Sequence, residues 1–189
     1  MSAVFYIKNM VCDRCKMVVR ESFERISIQV TRVDLGEVET TNPLTPIQIS
    51  TLTSLLEQSG FELIEEKPRR VVEKIKTLLI DLIHYQSISD VKVNYSAYLS
   101  EQLHRDYSGL STLFSSQEGI TIEQYIIRQK IERVKELLTY DELSLSQIAD
   151  ELDYSSVAHL SNQFKKVTGQ TPSQFKQSAA KNRLPLDQV

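Results

Sequence analysis

Two stretches of this chain, fifty residues apart, are variations on one pattern. Residues 110–125 read LSTLFSSQEGITIEQY, and residues 160–175 read LSNQFKKVTGQTPSQF. At that single offset Leu110 matches Leu160, Ser111 matches Ser161, Phe114 matches Phe164, Gly119 matches Gly169, Thr121 matches Thr171 and Tyr125 matches Phe175. Matches that all share one offset mark a duplicated structural unit. Each matched residue also has a mechanical meaning. Leu and Phe four apart share one helix face and anchor it in a core. The glycine ends that helix in a left-handed conformation that a side chain resists. The threonine caps the helix that follows, and in the second copy Pro172 takes its first position.

Each copy follows a shorter helix. In SLSQIADEL, Ser144 and Gln147 have capping-box spacing, and Leu145, Ile148, Ala149 and Leu152 form the face to be buried. Asp153, in the turn DYSS, sits where a left-handed residue is wanted, which Asp tolerates. Two short helices joined by a tight turn, the second anchored from behind, make a helix-turn-helix. YLSEQLHRDYSGLSTLF supplies the first, less regular copy. Between the copies, TIEQYIIRQKIERVKELL reads as a long amphipathic helix with a Thr121/Gln124 cap and apolar Ile127, Ile131, Val134 and Leu138. Two such modules on one stiff helix can address two major-groove segments about one turn, roughly 34 Å, apart without a dimer.

The run LSLSQIADELDYSSVAHLSNQFKKVTGQTPSQFK resembles the second module of the AraC-type DNA-binding domain, including its F-K-K-x-x-G-x-T-P segment. The resemblance covers residues 73–178 and is strongest over 121–176. It implies a bacterial transcription regulator that binds double-stranded DNA at asymmetric promoter sites, with RNA polymerase as a further partner if it activates. With Leu160 and Phe164 facing inward, Val157, Ala158, His159, Ser161 and Asn162 face outward, with Lys165 at the edge. The family's motif puts those first five at base-facing positions. Asn162 suits a bidentate bond to adenine, and Val157 and Ala158 suit thymine methyls. The matching positions of the first module are Ser108, Ser111, Thr112 and Ser115, all short and neutral, which predicts shape or phosphate contacts and modest affinity. The other two histidines, His84 and His104, read as helix-surface or turn residues.

Charge argues both ways. The formal net charge is −3, and residues 71–189 hold 13 Lys/Arg against 15 Asp/Glu, which is unusual for a DNA binder. Yet no acidic residue lies between Tyr154 and Leu186, a stretch that carries Lys165, Lys166, Lys176, Lys181 and Arg183. Such a local excess is a phosphate footprint, assigned first to Lys165, Lys166 and Lys176.

The N-terminal third has a different grammar. AVFYIKN alternates as a strand, and the apolar residues from Asp13 to Arg25 fall at helical spacing with Asp13 as the cap. SIQVTRVDLG and EVETT are strands. TPIQISTLTSLLEQSG is a helix capped by Thr45, opened by Pro46 and stopped at Gly60, and FELIEE closes as a strand. The order β-α-β-β-α-β is the ferredoxin-like arrangement. RRVVEKIKTLLIDLIHYQ is an amphipathic connector, read as a lid on its own domain rather than as a dimer seam. The expected fold class is α+β: a ferredoxin-like domain over residues 1–67, a connector over 68–91, and an all-α tandem helix-turn-helix domain over 92–189.

The only cysteines are Cys12 and Cys15. No apolar run is long enough to span a membrane, and no basic-then-apolar leader opens the sequence, which predicts a reducing, cytoplasmic setting. A thioredoxin-like pair is disfavoured by Asp-Arg between the cysteines and by the absence of Trp. A structural zinc site needs four ligands, and no His precedes His84. NMVCDRC, between first strand and first helix, resembles the G-M-x-C-x-x-C loop of heavy-metal-associated domains, a match running over residues 3–66 and including SGFELIE. The resemblance implies that Met10 tucks under the loop while Cys12 and Cys15 project as ligands for a soft ion, Cu(I) first, then Ag(I), Hg(II) or Zn(II). Domains of this kind also act as protein-interaction modules with no metal. Asn9 stands where the pattern has Gly. With Arg14 and Lys16 alongside and a helix N-terminus beneath, the Cys15 thiol is expected to have a lowered pKa. An open two-thiolate site also allows two chains to share one ion as a homodimer. The other function class is a metallochaperone or interaction adaptor whose helices bind protein rather than DNA. No nucleophile–base pair, phosphate loop or hydrolase motif points to an enzyme.

Overall fold

A computed structural model of the chain describes residues 2–86, 94–177 and 183–189; Lys181 and the boundary expected at 91/92 lie outside them. The chain divides into two compact units, Met1–Thr77 and Leu78–Val189.

The first unit holds β1 (Ala3–Lys8), α1 (Asp13–Arg25), β2 (Val30–Asp34), β3 (Glu37–Thr40), α2 (Pro46–Gln58) and β4 (Glu62–Ile64). The sheet order is β2-β3-β1-β4, with every neighbouring pair antiparallel. The most apolar strand, β1, is therefore interior. Ile7, Val38, Val19, Phe23, Leu52 and Leu56 form the core between the sheet and the two helices, with Phe5 edge-on to Phe23 at 5.9 Å. Thr45 and Gln48 close a capping box at the start of α2, and Gly60 ends it at φ +81°. Asp13 is not the cap of α1: Cys12 holds that position, in extended conformation and without a side-chain cap bond, and Asp13 is the first helical residue.

α3 (Lys67–His84) begins in this unit. Its Arg70 donates from Nε to the Ile64 carbonyl at 3.1 Å and sits 4.8 Å from the Tyr6 ring, while Lys74 pairs with Glu37. Gly36, at φ +81°, leaves room for the helix: a Cβ there would come within 3.3 Å of Thr77 Oγ1. These contacts place the start of α3 over the sheet.

The second unit continues with α4 (Tyr95–Leu103), α5 (Tyr107–Glu118), α6 (Ile122–Tyr140), α7 (Leu145–Glu151), α8 (Val157–Thr168), α9 (Pro172–Gln177) and a 3-10 turn at Leu186–Gln188. α6 is its axis. Ile131, Val134, Leu137 and Leu138 pack with Ile148, Ala149, Leu152, Leu160, Phe164 and Phe175 in one core. Side-chain oxygens cap α4 to α8 in turn: Asn94, Asp106, Thr121, Ser144 and Ser156 each accept from a backbone N–H three residues on.

α6 is also buried on faces that its sequence leaves polar. Gln129, Lys130 and Glu132 are all buried. His84, expected at the surface, is buried too, because its Nε2 lies 2.9 Å from Gln129 Oε1 on α6. Its Nδ1 is 3.8 Å from Glu136 Oε2. Glu136 is held down to about 2 by His84 first, and then by Arg133 and Arg183, against the upward pull of burial. His104 matches expectation, an exposed left-handed residue at φ +51° that ends α4.

Candidate functional site

The fifty-residue offset survives as geometry. Leu110 and Leu160, Phe114 and Phe164 are buried on the inner faces of α5 and α8. Gly119 and Gly169 end those helices at φ +70° and +80°. Phe114 meets Tyr125 edge-on at 5.5 Å, and Phe164 meets Phe175 edge-on at 5.6 Å. The correspondence extends beyond the matched stretch. Leu99 of α4 and Ala149 of α7, again fifty apart, are both buried, and Asp106 and Ser156 are the paired N-caps.

With the inner faces occupied, the outer faces are open. On α8, Val157, Ala158, His159, Asn162, Lys165 and Lys166 are exposed and Ser161 is half-buried. On α5, Ser108 and Thr112 are exposed and Ser111 half-buried, the same pattern as Ala158, Asn162 and Ser161. The two outer faces therefore offer corresponding positions with different chemistry: short hydroxyls on α5, and an amide, an imidazole and two cations on α8.

The cations divide. Lys165 and Lys166 form no ion pair among the described residues and remain available to an anion. Lys176 is paired with Asp141, and Arg183 lies 3.6 Å from Glu136. The footprint expected from the acid-free stretch is thus narrower than its sequence implies, because carboxylates from α6 and the turn after it answer two of the cations.

Behind His159 stand residues that no motif in the sequence singles out. The Tyr154 ring stands edge-on to the imidazole at 5.3 Å, and its hydroxyl donates to Gln163 Oε1 at 2.7 Å. Ser155 Oγ lies 3.1 Å from His159 Nδ1. The ring of His159 is therefore held by neighbours, and its Nε2 has no hydrogen bond among the described residues. The available signal was local: Tyr and Ser preceding a cap residue, within one turn of the imidazole.

The dithiol loop joins β1 to α1. Asn9 adopts φ +71°, the conformation for which glycine would serve, and Asn tolerates it. It also adds two bonds that glycine could not both supply: its backbone N–H donates to Glu73 Oε1 at 3.0 Å, and its Nδ2 donates to the Gly60 carbonyl at 2.9 Å. Met10 is buried beneath the loop in the core. Cys12 and Cys15 are half-buried free thiols with sulfurs 3.4 Å apart. Two sulfurs on one ion at about 2.3 Å stand about 3.8 Å apart at a tetrahedral angle and about 4.6 Å apart in a linear two-coordinate link, so the thiols must separate by roughly 0.4 to 1.2 Å to hold one. No third His, Cys, Asp or Glu joins them among the described residues. The expected lowering of the Cys15 thiol is not found. Burial pushes it up, the neighbouring Cys12 adds to this, and backbone donors at Val11 and Cys12 do not compensate. Lys16, alongside, is paired with Asp13 at 3.0 Å.

Among the described residues no helix is long and apolar enough to cross a membrane. The family model described as "Helix-turn-helix domain" matches residues 99–178. The Photobacterium leiognathi protein named "Probable transcriptional regulator LumQ" is 32% identical over 130 residues, covering 67% of this chain and 48% of that protein. The "Msm operon regulatory protein" of Streptococcus mutans is 26% identical over 134 residues, covering 69% of this chain and 46% of that protein. The chain thus spans about half the length of these curated relatives. Among solved structures, the C-terminal domain of AraT, a response regulator from Geobacillus stearothermophilus, gives a TM-score of 0.49 at 22% identity, covering 63% of this chain and 91% of that one. Residues 99–178 thus match a helix-turn-helix domain, and the relatives that share this region are named as regulators of transcription or of an operon.

Proposed function

We propose that the protein is a regulator of transcription that binds double-stranded DNA through α5 and α8, each laid in a major groove. The observation that carries this reading is the pair of duplicated helices, anchored alike from within and open on corresponding outer faces. In this reading Val157, Ala158, His159, Ser161 and Asn162 meet base edges, and Lys165 and Lys166 meet phosphates. Ser108, Ser111 and Thr112 make the lighter contacts of the first module. Lys176 contributes only when it exchanges Asp141 for a phosphate. RNA polymerase is a partner if the protein activates.

The N-terminal unit is read as a ferredoxin-like, heavy-metal-associated domain whose Cys12 and Cys15 hold a soft ion, Cu(I) first and Ag(I), Hg(II) or Zn(II) after it. Two close sulfurs on a loop fixed by Asn9 and Met10 support this. A bound ion would supply a low-coordinate link between thiolates, within one chain or across a homodimer, and so bias the population competent for DNA.

Fluorescence anisotropy on the protein's own upstream region tests the DNA reading. Affinity should fall as salt rises, with a slope of about 0.9 per phosphate neutralised. Salt-independent binding, or none, would leave the adaptor alternative. For the metal, Cu(I) titration of the Cys12→Ser/Cys15→Ser variant should show lost stoichiometry and a changed response of DNA affinity. Unchanged values for both would remove the metal from the account.

A further inference from the structure

Lys130 of α6 is 9% exposed and forms no direct ion pair among the described residues, the Asp153 carboxylate acting on its charge only from a distance. Its Nζ donates to the Leu152 carbonyl at 2.7 Å and lies 5.4 Å from the centroids of both the Tyr95 and the Tyr154 rings. These contacts come from different modules. Tyr95 opens α4, the first helix of the first module; Leu152 ends α7 and Tyr154 precedes α8, both in the second. One ammonium on the axial helix thus touches both modules at once.

Burying an ammonium is costly, and an apolar side chain of similar length would fill the space more cheaply. What the ammonium adds is direction. A hydrogen bond to one carbonyl and attraction to two ring faces fix its neighbours' orientation in a way that methylene packing does not. The Tyr95 hydroxyl is buried and makes no hydrogen bond among the described residues, while its ring lies against the Lys130 ammonium. The same Tyr154 reaches α8, through its hydroxyl to Gln163 and its ring to His159. A continuous set of contacts therefore runs from α4 through Lys130 to a base-facing imidazole.

We propose that Lys130 is a positioning residue whose ammonium, held between Tyr95 and Tyr154, fixes the second module's orientation relative to the first and so sets the spacing of half-sites that the protein accepts. This rests on the reading of α5 and α8 as DNA-recognition helices. Adding one base pair moves a half-site by about 3.4 Å and turns it about one-tenth of a helical turn, which locked modules cannot follow. Modules released from the clamp can follow it.

The test uses the full chain and a duplex pool randomised over about three helical turns, roughly 30 base pairs, to recover a bipartite site. The recovered half-sites are then moved together or apart by single base pairs. Wild-type protein should show one preferred spacing and lose about tenfold in affinity one base pair to either side. Lys130→Met should flatten that profile to within about threefold while affinity for the isolated second half-site holds, and Lys130→Arg should restore the optimum. A sharp optimum retained by Lys130→Met, or no rescue by Lys130→Arg, overturns the proposal and leaves Lys130 a packing residue. Should Lys130→Met lose its helical circular dichroism, Tyr95→Leu takes its place: a flattened profile supports the clamp, and a sharp one overturns it. If wild-type protein enriches no sequence, the DNA reading fails and takes the clamp with it; if it does, only the clamp is at stake in the variants.

Discussion

The two helix-turn-helix modules share a skeleton and differ in skin. On the inside, the same residue types do the same work fifty positions apart: Leu110 and Leu160, Phe114 and Phe164, Gly119 and Gly169. On the outside, Thr112 stands opposite Asn162, Ser108 opposite Ala158, and Ser115 and Ser116 opposite Lys165 and Lys166. Even the helix ends diverge: α8 closes on two lysines, which suit the negative end of a helix dipole, while α5 closes on Glu118. What folding needs has been kept in both copies, and what a DNA partner would feel has not. A duplicated scaffold thus separates the residues that hold a helix in place from those that give it a task.

The largest effect should come from the shared skeleton. Phe114→Ala and Phe164→Ala each remove a fully buried ring packed against a second aromatic, so each should cost about 3–5 kcal/mol in urea unfolding. Losses of similar size would show the copies to be mechanically equivalent. A loss under about 1 kcal/mol for Phe114→Ala alone would break the comparison at its base, since only a loosely packed first module could absorb such a cavity.

Next come the outer faces. Asn162→Ala should cost about 1–3 kcal/mol of affinity on the preferred duplex and relax the preference at one base position. Thr112→Ala, its counterpart, should stay within about 0.5 kcal/mol. Equal losses in an anisotropy assay would mean that the first module reads bases after all.

How much of this was readable beforehand follows the same inside–outside division. Caps, stop glycines and anchor residues are local signals, and Thr121 with Gln124, Ser144 with Gln147 and Asp153 all act in the structure as their spacing implies. What escaped notice depends on partners distant in sequence. His84 looks like a surface residue until α6 brings Gln129 to it from 45 positions away. Lys176 looks like a free cation until Asp141, 35 positions back, pairs with it. The basic neighbours of Cys15 in sequence imply a thiol that titrates low, but burial and the second thiol push it up. The amphipathic pattern of α6 also misleads: a helix surrounded by others buries Gln129, Lys130 and Glu132 along with its apolar face.

A smaller effect tests the helix ends. At Gly119 and Gly169 an added Cβ would meet nothing within 4 Å, so Gly→Ala at either position should cost only the left-handed backbone term, roughly 1–2 kcal/mol. Chemical denaturation should give the two variants the same loss. Unequal losses would show that one copy can relax its terminus where the other cannot.

The mildest change is the most discriminating, because it asks whether the skin alone separates the modules. Lys165→Gln and Lys166→Gln should each lower the salt slope of DNA binding by about 0.9, the release of one phosphate's counterions. Lys176→Gln should lower it by less, since that ammonium already has Asp141 to leave. The converse is Ser116→Lys, which puts into α5 the cation that α8 carries at the matching position, on an exposed site. If α5 meets the backbone as α8 does, the slope should rise by about 0.9 with little change in stability. An unchanged slope would mean that the first module's helix end stands away from the duplex, and that the repeat preserves a fold without preserving its docking.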